Sequence, residues 1–151
     1  MPMARQARVE LCLRNRLQGV WFAADRHRLE QVLLNLVLNA LRAMPGGGWV
    51  EISGHRIHHG DSAAAAISVS DTGPGVGMGD AARMFEAGFS TRAGSPGLGL
   101  AVCRRIVEQH GGSIAAANRA GSGASFTLTF PLCEGAKVRG SEGTRVGNTS
   151  V

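Results

Sequence analysis

Between residues 25 and 48 the chain carries the pattern that most restricts its fold. Leu29, Val32, Leu33, Leu36, Val37, Ala40, Leu41 and Met44 recur at steps of three and one, the spacing of a helix with one apolar face. Asp25 stands just ahead as an N-cap, its carboxylate placed to accept a first-turn N–H. Pro45-Gly46-Gly47-Gly48 stops the helix. Such an apolar stripe must be buried against a second layer.

Strands are expected to supply that layer. Segments 49–57 and 63–70 read as strands joined by a polar turn around His58-His59-Gly60-Asp61, and 113–118 and 124–131 as two more around Arg119-Ala120-Gly121-Ser122-Gly123. Segments 8–13 and 20–24 flank Gln18-Gly19 and read as a hairpin or two small strands. A second helix is expected over 97–110, closed by Gly111-Gly112. Residues 73–96, rich in glycine and small side chains, hold room for a helical turn at 80–85. They are too long for a simple connector, and loops of that length are typically lids or binding loops. From residue 134 periodicity is lost, which predicts a mobile tail. The expected architecture is α/β (α+β): one domain over 1–132 and a flexible tail over 133–151. In it, helices pack on one face of a mixed β-sheet as a two-layer sandwich.

Composition narrows the function classes. The 151 residues are 44% hydrophobic and 18% charged, a globular balance. No apolar run reaches the roughly 18 residues needed to span a bilayer, so no membrane contact is expected of this segment. The N-terminal arginines precede no apolar h-region, so no cleaved signal is expected. Cys12, Cys103 and Cys133 fit neither a disulfide framework nor a metal pattern and read as apolar fillers in a reducing compartment. The expected location is cytoplasmic. The net charge of +5 is scattered, with no tyrosine and no basic stripe interleaved with aromatics, so no nucleic-acid partner is expected.

Three stretches can carry chemistry. On the first helix Asn35, Asn39 and Arg42 project in nearly one direction, and the asparagines stack on neighbouring turns. Asparagine is a mediocre helix former. The pair is either satisfied by nearby backbone or supplies neutral oxygens to Mg²⁺, an ion that takes most of its negative ligands from substrate phosphates; Arg42 would then meet phosphate. Gly94-Ser95-Pro96-Gly97-Leu98-Gly99-Leu100 precedes the second helix. It serves either a tight turn or an anion site built from bare helix-start N–H groups. In Asp71-Thr72-Gly73-Pro74-Gly75, Asp71 either caps a turn or accepts the exocyclic amine of adenine, with Gly73 and Gly75 letting backbone approach the base. Asp-Thr-Gly also presents the carboxylate of aspartic proteases, but that chemistry needs two carboxylates sharing a proton, and the chain has one such motif.

In this order, these stretches make the chain resemble the catalytic ATP-binding domain of bacterial sensor histidine kinases. That domain belongs to the superfamily shared with DNA gyrase, heat-shock chaperone and mismatch-repair ATPases. The asparagine box matches Glu30-Gln31-Val32-Leu33-Leu34-Asn35-Leu36-Val37-Leu38-Asn39-Ala40, and the first glycine box Asp71-Thr72-Gly73-Pro74-Gly75-Val76. The phenylalanine box looks like Met84-Phe85-Glu86-Ala87-Gly88-Phe89-Ser90-Thr91-Arg92, and the second glycine box matches Gly97-Leu98-Gly99-Leu100. The resemblance implies a Bergerat-type fold holding ATP between the helix layer and a lid over 77–96. By position, Asn39 would bind Mg²⁺ with Asn35 assisting, and Asp71, Gly73 and Gly75 would form the base pocket. Gly97, Leu98, Gly99 and Leu100 would line the phosphates, with Arg42 and Arg92 reaching them.

The resemblance implies γ-phosphate transfer to a histidine on a separate dimerisation and phosphoacceptor domain, with a response regulator downstream. Hydrolytic relatives carry a glutamate one helical turn before the metal-binding asparagine. Here that position is Asn35, whose amide cannot take a proton from water, and Glu30 lies about 140° away round the helix. His27, His55, His58, His59 and His110 lack the acceptor context, so the chain is expected to bind ATP without labelling itself. Ser95-Pro96 replaces the usual small pair, which implies a stiffer lid, and Ala43 replaces an aromatic beside the adenine, which implies weaker stacking. Two other readings stay open: a nucleotide-binding module without kinase activity, and a hydrolytic ATPase.

Overall fold

The computed structural model describes residues 8–77, 79–87 and 99–133. Five strands, β1 (Val9–Arg16), β2 (Gly48–His59), β3 (Ser62–Asp71), β4 (Ser113–Asn118) and β5 (Ala124–Pro131), form one sheet in the order β1-β2-β3-β5-β4. β1 and β2 are parallel and the other pairs antiparallel. A parallel pair needs a crossover, and helix α1 (Arg26–Ala43) supplies it. A short 3₁₀ turn (Arg83–Phe85) and helix α2 (Gly99–Gln109) follow β3.

Register explains how the sheet covers the helices. Val69 lies opposite Phe126, Ile67 opposite Leu128 and Ala65 opposite Phe130, so these side chains share one face. Val32 and Leu36 of α1 and Cys103, Ile106 and Val107 of α2 are buried against it. The other face is small and hydroxylated: Ser68 pairs with Thr127 and Ser70 with Ser125, each at 2.9 Å. The expected two-layer arrangement, with helices on one face of a mixed sheet, is what is found.

The caps follow local chemistry. Asp25 accepts the Arg28 N–H at 3.1 Å, and that bond holds its carboxyl below the usual aspartate value. At the far end of α2, His110 offers Nδ1 to the Ile106 carbonyl at 2.7 Å, while its Nε2 accepts the Asp25 N–H at 3.1 Å. One imidazole thus joins the end of α2 to the start of α1.

The N-terminal segment departs from expectation. There is no hairpin and no second strand at 20–24. A single β1 runs on to Arg16, and its partner is the distant β2. Asn15 then accepts the Leu17 N–H at 2.9 Å, Gly19 turns the chain at φ 71°, and residues 20–25 cross the core without regular secondary structure. Val20, Phe22 and Ala24 are buried, and Phe22 stacks on Phe130 at 4.9 Å. Their alternation records this crossing, not strand pairing. The β2–β3 turn is also tighter than expected, since His58 and His59 belong to β2. At 80–85 helical geometry is confined to Arg83–Phe85, where Phe85 packs edge-on to Phe126 at 6.2 Å. α2 begins at Gly99; residues 88–98 and the expected tail beyond 133 lie outside the described residues.

Candidate functional site

Asp71 ends β3 and is 5% exposed. Its Oδ1 accepts two backbone bonds, from Gly73 N–H at 2.9 Å and Ala124 N–H at 3.3 Å. Both backbone bonds fall on the same carboxylate oxygen, Oδ1, and an ionised carboxylate is acceptor-only. Backbone bonds fix its aim without using a neighbouring charge.

The turn after Asp71 sits against the end of α1. A Cβ added at Gly73 would lie 3.5 Å from Ala43 Cβ and 3.3 Å from Met44 Cγ. Thr72 donates its hydroxyl to Met44 Sδ at 3.5 Å and accepts the Trp49 N–H at 3.1 Å. Asn39, partly buried, is four residues before Ala43, so one helical turn separates it from this contact. Arg42 is exposed in the last turn of α1.

The other end of the site lies where α1 meets α2. Asn35 donates Nδ2 to Cys103 Sγ at 3.8 Å, and Cys103 is four residues beyond Gly99, the start of α2. Burial pushes the Cys103 thiol up, partly offset by the Asn35 bond. From Asn35 to Ala43 is eight residues, about 12 Å along the helix. α1 therefore links the glycine-led start of α2 to the Asp71 turn. Leu100 is partly buried against the core. Arg92, Gly97 and Leu98 lie outside the described residues.

Other residues of the site were not picked out from sequence. Asn118, last in β4, accepts the Val76 N–H at 2.6 Å and donates to the Val76 carbonyl at 2.9 Å. Arg119 donates Nη1 to the Asp71 carbonyl at 3.1 Å and lies over the Trp49 ring at 4.3 Å. Gly123 has φ 94°, and a Cβ there would fall inside the Asp71 carbonyl. Gly121-Ser122-Gly123 was the available signal, but it reads only as a turn until its partner is known. Glu30 faces away from the site and is paired with Arg26 at 2.9 Å.

No group of three or more His, Cys, Asp or Glu side chains among the described residues is arranged to hold a metal. What α1 offers instead is two amide side chains on one side. That donor set suits an ion that arrives carrying phosphate ligands and water.

Comparison with known proteins shows the family and the fold. Residues 24–134 match the family model "Histidine kinase-, DNA gyrase B-, and HSP90-like ATPase". The chain is 41% identical over 135 residues to the C4-dicarboxylate transport sensor protein DctS of Rhodobacter capsulatus, covering 87% of this chain and 20% of that protein. The nucleotide-free catalytic domain of histidine kinase ThkA superposes with a TM-score of 0.74 at 30% identity, covering 86% of this chain and 84% of that one. ThkA solved in complex with response regulator protein TrrA gives 0.70 at 28% identity, with 87% and 36% coverage. Full-length ShkA in complex with AMPPNP gives 0.72 at 32% identity, with 87% and 27% coverage. The chain thus spans about a fifth of the first curated relative and nearly the whole of a solved catalytic domain. It belongs to the histidine kinase-, DNA gyrase B- and HSP90-like ATPase family and carries the catalytic ATP-binding domain of sensor histidine kinases.

Proposed function

We propose that this domain binds Mg²⁺-ATP across α1 and presents the γ-phosphate to a histidine on a separate dimerisation and phosphoacceptor domain, with a response regulator as the onward acceptor. The observation that carries the reading is the pinned Asp71 carboxylate. Its Oδ1 is occupied by two backbone N–H groups, so Oδ2 accepts the adenine amine. Guanine would set a carbonyl oxygen there, and an unmatched buried polar group costs about 1–3 kcal/mol.

In this reading Gly73 and Gly75 let the turn lie close to the base. Asn39 supplies an amide oxygen to Mg²⁺, and Asn35, its Nδ2 committed to Cys103, directs Oδ1 toward the metal or its water. The ion neutralises β- and γ-phosphate charge. Backbone N–H groups at Gly97, Leu98, Gly99 and Leu100 hold the phosphates at the start of α2, where unpaired amides favour anions, and Arg42 and Arg92 reach the same oxygens. Positioning and charge neutralisation are most of what phosphoryl transfer asks of a protein. The incoming imidazole is the nucleophile, and Asn35 leaves water without a general base. AMPPNP bound to ShkA and the ThkA complex with TrrA support the ligand and the downstream partner. Full-length relatives are sensor proteins, which supports a cytoplasmic domain of a longer sensor.

Calorimetric titration with AMPPNP, with and without Mg²⁺, tests the reading. Saturable one-site binding that tightens with Mg²⁺ is expected; no binding in either condition overturns it.

A further inference from the structure

We propose that Asn118 is a positioning residue for purine selectivity, clamping the turn from Asp71 to Val76 in the shape that aims Asp71 Oδ2 at a base. The inference rests on the adenine reading of Asp71.

Asn118 bonds Val76 in both directions, accepting its N–H at 2.6 Å and donating to its carbonyl at 2.9 Å. Val76 belongs to no strand, so the asparagine side chain replaces the rung a neighbouring strand would provide. The approach is close because residue 75 is glycine. Its φ is 84°, and a Cβ there would lie 2.6 Å from Asn118 Oδ1. Gly73 and Gly75 also make the turn the freest part of the site, since glycine loses more freedom on ordering than any other residue. The two Asn118 bonds restrict that freedom.

The clamp has a second jaw. Arg119 donates to the Asp71 carbonyl at 3.1 Å, and Ala124 N–H donates to Asp71 Oδ1 at 3.3 Å. The β4–β5 turn therefore grips Asp71 at one end of the segment and Val76 at the other. Asn118 is itself exposed and adds no burial, so its contribution is the geometry it imposes. A side chain that only stabilised the fold would lower the affinity for every nucleotide together. A side chain that aims a carboxylate changes discrimination between purines.

ATP and inosine triphosphate differ at C6, where one has an amine and the other a carbonyl. Their dissociation constants should be measured on the 151-residue chain and on Asn118→Ala and Asn118→Asp, alongside the thermal midpoint of each. The wild-type chain is expected to favour ATP, and Asn118→Ala to reduce that preference about five- to tenfold, the loss of roughly one net hydrogen bond. Asn118→Asp keeps the acceptor for Val76 N–H, lacks the donor and is expected to fall between; it carries the test if the alanine variant does not fold. An unchanged preference in the folded variants overturns the inference, even if both affinities fall in parallel. A wild-type chain that does not favour ATP overturns the adenine reading and this inference with it, a result visible before any variant is made.

Discussion

The side-chain amide of Asn35 on α1 donates to the sulfur of Cys103 on α2 at 3.8 Å, and that thiol in turn reaches the Val32 carbonyl at 3.9 Å. Cys103 is fully buried and Cys12 is exposed. Iodoacetamide should therefore label Cys12 in the native protein and Cys103 only after denaturation, as read by peptide mass spectrometry. Labelling of Cys103 at the pace of Cys12 in the folded chain contradicts this.

The same thiol gives a pH dependence. Burial raises its pKa above the ordinary value of 9.0, so above pH 9 the unfolded state loses this proton before the native state does. The native state then binds more protons, and stability falls as pH rises. Denaturation curves for wild type should show this alkaline decline, and Cys103→Ser should flatten it.

Asp71→Asn retains an oxygen for the Gly73 and Ala124 N–H groups, so the fold should survive with a thermal midpoint close to wild type. Its amide nitrogen then confronts the adenine amine, donor against donor. Affinity for AMPPNP is expected to fall about 100-fold, the cost of a lost bond plus an unmatched polar pair. Unaltered affinity in calorimetry would remove Asp71 from the base pocket.

Gly123 and Gly99 should respond oppositely to alanine. At Gly123 the positive φ and the Asp71 carbonyl leave no place for a Cβ, and a loss of about 3 kcal/mol or more is expected. Among the described residues nothing lies within 4 Å of a Cβ at Gly99, and alanine inside a helix is preferred over glycine by about 0.5–1 kcal/mol. Gly99→Ala should keep or raise stability in urea melts while weakening AMPPNP binding, which would locate its constraint in the ligand.

Steady ATP hydrolysis should be far below the roughly 10 s⁻¹ of a typical enzyme, because Asn35 cannot accept a proton and Glu30 is turned outward toward Arg26. Released phosphate measured over hours checks this. Turnover at ordinary enzyme rates would restore the hydrolytic reading.

Much of this was legible because it is local. The apolar steps from Leu29 to Met44 define α1 whatever lies beneath it, and Asp25 caps it through a residue three positions on. β1 was harder to read: its pairing partner starts 39 residues later, at Gly48, and the buried alternation of Val20, Phe22 and Ala24 mimics a strand while arising from a crossing segment. In the site, Asp71, Gly73 and Gly75 announce themselves within five residues. Asn118 and Arg119 do not, because their partners lie 42 and 48 positions away and only folding reveals the pairing. The sulfur that turns Asn35 was invisible for the same reason, at a separation of 68.

α1 is moored at both ends, by His110 at Asp25 and by Thr72 at Met44. The 18-residue helix is about 27 Å long, so the two attachments hold opposite ends of the helix layer. The bond from His110 and the turn that begins at Asp71 therefore meet the same helix at its opposite ends.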